Sequence, residues 1–424
     1  MHPPERSTCR ISGEKLIPLF TLGKLHLSDF IPPGEAPEGE EHKVEMKLCL
    51  APKSGLVQLA HTAPADEMYR RYWYRSGTTE TMTRELESIA KKVLWLIKAA
   101  KGDVFVDIGC NDGTLFKFVP RSVVRIGFDP ALNTFVEKES RRHASKIIVD
   151  YFTHKTYQKA AGKKRAKIIT SIAMFYDLED PNAFVRDIVK TLDDEGLWVI
   201  QMSYLPLMLK QLAFDNICHE HLEYYSLESL KYLLDRHNLN IVDIEMNDIN
   251  GGSFRIYIRK NKARPELFAT APYRDVARMR VAQMLAYEEA LDLKNPATYR
   301  KFFRQVEELK RKTVAFIKRE KKRGKKIWGY GASTKGNTLL QWFGLDHSLI
   351  DAIAERSEIK YSHRTVGTHI PIVSEEEARK AHPDYLLVLP WHFIHEFTAR
   401  EKKYLQKGGK FIVPCPNFEV IGNK

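Results

Sequence analysis

The stretch VFVDIGCNDGTLF, residues 104–116, constrains this chain most. An apolar strand runs straight into a glycine-bearing turn and then into an apolar-patterned segment read as a helix. That is the opening unit of a layered α/β domain. Further strand-like runs follow at 123–129, 146–149, 167–172, 197–202, 241–245 and 253–259. Helical stretches separate most of these seven strands, so the sheet is expected to be mainly parallel. Only a short turn through Asn250, Gly251 and Gly252 divides the last two. A hairpin fits there, which makes the seventh strand antiparallel. Ahead of the first strand, Leu86, Ile89, Ala90, Val93 and Ile97 recur at the helical period and define one apolar face.

Four regions are distinguishable: a Pro- and Gly-rich module at 1–66, the α/β domain at 67–262, a polar helical connector at 263–323, and a second, smaller α/β region at 324–424. Pro296 opens a helix in the connector, and Gly324 stops it after a run of cations that complements its dipole. Hydrophobic residues make up 43% and charged residues 29% of the 424, which excludes a disordered, collagenous or coiled-coil chain. The net charge of +13 favours an anionic partner, either a nucleic acid or a phosphorylated small molecule. The basic runs 162–165 and 318–326 are read as solvated faces, and no RNA-binding module or zinc finger accompanies them. Five scattered cysteines imply no disulfide framework. With neither a secretory signal nor a run of about 20 apolar residues, a cytoplasmic protein without membrane contact is expected.

The glycine turn reads G-C-N-D-G rather than the G-x-G-x-x-G of nicotinamide binders. Asp107 beside the turn would repel a pyrophosphate and suits the cationic amino group of S-adenosylmethionine. Gly109, Asn111, Asp112 and Gly113 form the loop. Twenty residues after Gly109, Asp129 ends a second strand, where an acid can hold both hydroxyls of a ribose. Asp150 and Phe175 or Tyr176 follow the third and fourth strands and are placed against the adenine. Seven strands ending in a hairpin resemble the fold of S-adenosylmethionine-dependent methyltransferases.

After the fifth strand, Cys218-His219-Glu220-His221 precedes Tyr224 and Tyr225. A metal site is disfavoured: adjacent residues on a helix point about 100° apart, and the H-E-x-x-H spacing of zinc peptidases is absent. Acid–base chemistry is the preferred reading, because an imidazole beside a carboxylate can take a proton from a carbon acid near neutral pH.

Here a specific resemblance enters. The stretch FDNICHEHLEYYSL (214–227), the IGCNDG loop, NGGSFR (250–255), GYGASTKGN (329–337) and VLPWHF (388–393) resemble the sugar C-methyltransferase family along essentially the whole chain. The resemblance implies an α/β class I S-adenosylmethionine-dependent methyltransferase domain with a Rossmann-like seven-stranded sheet. A small N-terminal zinc module and a C-terminal Rossmann-like substrate-binding domain flank it. It implies a nucleotide-linked 4-keto sugar as substrate. His221 maps onto the general base, and Glu220 onto the adjacent acid. The base removes the proton α to the ketone, and the enolate attacks the methyl of S-adenosylmethionine.

Two departures stand out. Cys218 occupies the place of a family tyrosine, so Tyr224, His219 or Tyr74 is expected to bond the enolate oxygen. The zinc ligands are reduced to Cys9 and Cys49, with Ser12 and Ser54 at the other positions. Zinc needs four N or S ligands, so a metal-free remnant held by packing is expected. The aromatic segment Tyr72–Gly77 is placed near the active site. For the sugar nucleotide, the C-terminal turn offers Gly331, Ser333, Thr334, Lys335 and Asn337, joined by Trp391 and His392. A monomer or weak dimer is expected. Two other readings remain: an RNA-modifying methyltransferase, and a non-catalytic sugar-nucleotide or S-adenosylmethionine binder.

Overall fold

The computed structural model describes residues 3–36, 39, 42–70, 73–131 and 134–423, without the side chains of 134–137. Tyr72 lies outside the described residues. The N-terminal module holds β1 (Ile17–His26), β2 (Phe30–Ile31), β3 (Lys43–Leu50) and β4 (Val57–Leu59). In β3, residues 44, 46 and 48 are buried while 43, 45 and 47 are half-buried, the period-two pattern of a strand with one covered face.

The turns that carry Cys9 and Cys49's neighbour Ser54 are joined by a carboxylate. Glu14 accepts hydrogen bonds from the Ser12 hydroxyl at 2.8 Å and from the backbone N–H groups of Lys53 and Ser54 at 2.8 and 2.9 Å. Cys9 Sγ lies 3.5 Å from Ser54 Oγ, and burial pushes the Cys49 thiol up to about 11.

The central sheet is built from β5 (Val104–Ile108), β6 (Val124–Phe128), β7 (Lys146–Ile148), β8 (Ala166–Ile172) and β9 (Leu192–Ser203). After the short β10 (Glu223–Tyr224), β11 (Leu239–Asn247) and β12 (Ser253–Lys260) complete it. The strand order is β11-β12-β9-β8-β5-β6-β7. Strands β5 to β9 pair in parallel, whereas β12 runs antiparallel to both β9 and β11.

Three features depart from the sequence reading. First, the segment after the glycine loop is a single 3-10 turn, Thr114–Phe118, rather than a helix. Pro120 forces Val119 into extended backbone (ψ 126°), so no helix can propagate. Second, β10 leaves the central domain and pairs with β4, completing the N-terminal sheet in the order β1-β3-β4-β10. Third, the connector contains two helices, Ala271–Glu289 and Pro296–Lys322, the second capped by the Asn295 side chain.

The C-terminal sheet holds β13 (Ile327–Tyr330), β14 (Ile353–Glu355), β16 (Ile372–Ser374), β17 (Tyr385–Val388), β18 (Lys410–Val413) and β19 (Glu419–Ile421). Its order is β16-β14-β13-β17-β18-β19, parallel except for the last pair. The intervening β15 (Arg364–Thr365) pairs instead with β2. One apolar core runs from Leu48 and Val57 through Tyr299 and Val306 to Leu339 and Val388. N-terminal module, connector and C-terminal domain therefore share one core.

Candidate active site

From β5 the chain first builds β6 and β7 on one side, then crosses to β8 on the other. A crevice opens where the connections part. It holds a cavity of about 270 Å³, walled by Gly109, Asn111, Asp129, Pro130, Asp150, Tyr151, Met174 and Asp177 among others. Gly109 adopts a left-handed φ of +74°, and a Cβ there would press to 3.2 Å from Met174. Glycine thus keeps this wall open.

Asp129 shapes the loop. One carboxylate oxygen accepts Asn111 N–H at 2.8 Å and the other accepts Ala131 N–H at 2.9 Å. Asp150 stands at the rim, with one oxygen 3.9 Å from the Arg70 guanidinium. The cavity wall carries Asp129, Asp150, Asp177 and Glu179 but no lysine or arginine among the described residues. Asp177 Oδ1 is buried there without a hydrogen-bond partner. Burial, with Glu220 and Glu223 close by, pushes its carboxyl well above the usual range. Glu179 is already paired with Arg6 and Arg10, so the wall offers a ligand such as S-adenosylmethionine the acceptor oxygens of Asp129 and Asp150 and the polar carboxyl of Asp177.

Several residues assigned to the cofactor sit elsewhere. Asp107 is buried between β5 and β8, accepts the Thr170 hydroxyl at 2.6 Å, and is pushed up to about 7 by burial. It is not part of the cavity wall. Asp112 staples the loop internally, accepting Thr114 N–H at 3.1 Å and Gly77 N–H at 2.8 Å. Gly113 packs against Ser140, where a Cβ would lie 2.8 Å from Ser140 Cα. Phe175 is wholly buried among Phe184, Trp198 and Tyr225. Tyr176 faces His221, not the adenine side, with ring centroids 4.2 Å apart.

The His-Glu-His segment is a turn, not a helix, so its side chains are not bound to a 100° spacing. It hangs beside the cavity by two bonds. Tyr69, on the cavity wall, donates its hydroxyl to the Glu220 carbonyl at 2.8 Å, and Leu222 N–H reaches the Tyr176 carbonyl at 2.9 Å. His221 is buried, and its Nδ1 lies 2.9 Å from the Asn216 carbonyl. A carbonyl only accepts, so Nδ1 carries the hydrogen and Nε2 keeps its lone pair. Burial, then the Lys335 charge, holds this imidazole well below its usual pKa, in the neutral form.

The neighbours divide in role. Glu220 accepts the Thr334 hydroxyl at 3.3 Å, and burial pushes it up to about 7. Tyr224 donates its hydroxyl to the His221 carbonyl at 3.0 Å and so holds the turn. His219 points away, with Nε2 3.2 Å from the Val44 carbonyl, and burial lowers it to about 4. It belongs to the packing of the N-terminal sheet rather than to the site.

The C-terminal domain closes on this turn. Lys335 Nζ donates to Asn216 Oδ1 at 2.6 Å, and Trp391 Nε1 donates to Asp215 at 3.1 Å. His392 stacks edgewise on Trp391, and burial lowers it to about 3. Ser333 caps its helix by accepting Gly336 N–H at 3.0 Å, and Gly331 packs against Pro390. Asn337 donates to the Asp29 carbonyl at 2.9 Å, which makes it a tether to the N-terminal module. Tyr74 lies at the surface, 40% exposed, while its carbonyl accepts from Asn111 Nδ2 at 2.9 Å. Ser76 and Gly77 N–H groups donate to Asn111 and Asp112, so the segment 74–77 is laid directly on the cofactor loop.

Sequence reasoning overlooked Asp177, Asn216 and Asp215. Asp177 carried a usable signal, an acid at the end of the fourth strand beside Tyr176. Asn216 acts through its carbonyl and amide together, which no motif announces.

Strand order 3-2-1-4-5-7-6 with an antiparallel seventh strand, together with the acid-lined crevice, defines a class I S-adenosylmethionine-dependent methyltransferase. Family profiles agree: one described as "Methyltransferase domain" matches residues 72–244, and one described as "C-methyltransferase C-terminal domain" matches 248–416. C-methyltransferase NovU of Streptomyces niveus is 28% identical over 416 residues, spanning 97% of this chain and 96% of its own. Along nearly its whole length the chain is thus similar to a C-methyltransferase. Solved structures similar to it include the plantazolicin methyltransferase BpumL in complex with SAH (15% identity, TM-score 0.33, 42% of this chain and 84% of that one). Another is a SAM-dependent methyltransferase from Archaeoglobus fulgidus (16% identity, TM-score 0.34, 42% and 94%). No helix among the described residues is long and apolar enough to cross a membrane.

Proposed function

We propose that this chain methylates a carbon next to the ketone of a nucleotide-linked keto sugar, with His221 as the general base. The observation that carries the reading is the His221 hydrogen bond to Asn216, which leaves an unprotonated Nε2 on a buried ring beside the cofactor crevice. A base of this kind takes the proton from the α-carbon, and the C–H electrons move onto the ketone oxygen. S-adenosylmethionine, bound in the acid-lined cavity, supplies the electrophilic methyl group. In this reading Asp129 holds the ribose hydroxyls, and Asp150 favours the ligand's positive charge. Tyr176 and Tyr224 fix the imidazole and its turn. Thr334, Lys335, Trp391 and His392 bring the C-terminal domain against the same turn, where the sugar nucleotide would lie. The family match to a C-methyltransferase supports carbon as the acceptor.

The test is methyl transfer from labelled S-adenosylmethionine to keto-sugar nucleotides. Label in the sugar, lost by about 100-fold or more in His221→Asn, is expected of a general base. Label found only in RNA, or turnover retained by the variant, would overturn the assignment.

A further inference from the structure

We propose that Lys335 is the positioning residue for His221, fixing the imidazole through Asn216, and that it is not primarily a phosphate ligand. This rests on the general-base reading above.

The chain of contacts is short. Lys335 Nζ donates to Asn216 Oδ1 at 2.6 Å, and the carbonyl of the same Asn216 holds His221 Nδ1 at 2.9 Å. One residue thus ties a side chain of the C-terminal domain to the ring orientation in the central domain. Asn216 sits in the 3-10 turn Phe214–Asn216, all of it buried.

Charge points the same way. Around His221 stand Tyr176, Asn216, Glu223 and Tyr224, with Glu220 and Cys218 on its own turn. Among these acids and neutral rings, Lys335 is the cation whose charge reaches Asp177, Asp215, Cys218, Glu220, His221 and His392 alike. Burial, joined by the Lys335 charge, keeps the imidazole from protonating, which preserves the lone pair on Nε2.

Lys335→Met and Lys335→Gln test this, with two readouts. The first needs no substrate: histidine-ring NMR of the full chain, with His221 assigned by His221→Asn. Wild type should keep His221 as the Nδ1–H tautomer to well below pH 6.5. The variants should raise its pKa toward the ordinary value and let the tautomers exchange. The second is kinetics on whichever keto-sugar nucleotide the enzyme turns over. A fall in kcat of about 100-fold is expected for a misplaced base, with KM little changed, and Lys335→Arg should recover part of the loss. A raised KM with unchanged kcat and an unmoved His221 titration would overturn the proposal and leave Lys335 as a phosphate ligand. If wild type methylates no keto sugar while the ring titration responds as stated, the positioning role stands and the substrate reading fails.

Discussion

Replacing Asp129 with asparagine separates loop construction from ligand binding. The carboxylate accepts two buried backbone N–H groups, from Asn111 at 2.8 Å and Ala131 at 2.9 Å. An amide keeps one acceptor and turns an NH₂ toward the other donor. Hydrogen bonds to charged groups contribute about 1.5–3 kcal/mol, so one lost bond lowers stability by about that much. In the bound state the same oxygens are assigned to ribose hydroxyls. Losing one such contact costs another ~1.5–3 kcal/mol, or roughly 10- to 150-fold in Kd. Calorimetric titration with S-adenosylhomocysteine reads the second effect, and thermal melting reads the first. A folded Asp129→Asn protein that binds the ligand as tightly as wild type would refute the placement of the ribose.

Gly113→Ala forces a side chain into a φ of +72° and to within 2.8 Å of Ser140 Cα. Left-handed backbone alone costs about 1–2 kcal/mol, and a lowered Tm in differential scanning calorimetry is expected. Burial pushes the Glu220 carboxyl up to about 7 in the folded chain, from an ordinary value near 4.5. The raised value means its protonated form stabilises the fold fully below pH 4.5, a contribution lost as pH rises through 7. Glu220→Gln, which cannot ionise, should therefore gain on wild type by about 2–3 kcal/mol between pH 5 and pH 8. A pH-independent difference in chemical denaturation would contradict that environment. Glu14→Ala removes the acceptor that joins the turns at Ser12 and Lys53–Ser54, so amide exchange should quicken at Ser54 and Lys53 while β5 to β9 stay protected.

Much of the central domain was legible because strands and amphipathic helices write their periods into the chain. The seven strands, the helix with Leu86, Ile89 and Val93 inward, and the antiparallel hairpin all follow from local pattern. What escaped was long-range. Glu223–Tyr224 looks like part of the catalytic segment, yet it completes the N-terminal sheet, a pairing across 165 residues in Glu223 and Gln58 that no window of sequence contains. Ring directions were also hidden. His219 and His221 are two residues apart in a run that reads as one cluster, but the turn sends the first to Val44 and the second to Asn216. Asp107 is assigned by its place beside the glycine turn, and Tyr176 by its position after a strand. Burial and the Thr170 and His221 contacts, which depend on neighbouring strands, decide their roles instead.

Solvent exchange tests proton removal by His221 most directly. Incubated in D₂O with S-adenosylhomocysteine and its keto-sugar nucleotide, wild type should wash deuterium into the carbon beside the ketone, followed by NMR. His221→Asn should abolish that exchange while still binding S-adenosylhomocysteine. Exchange at an undiminished rate in His221→Asn would mean that another group takes the proton.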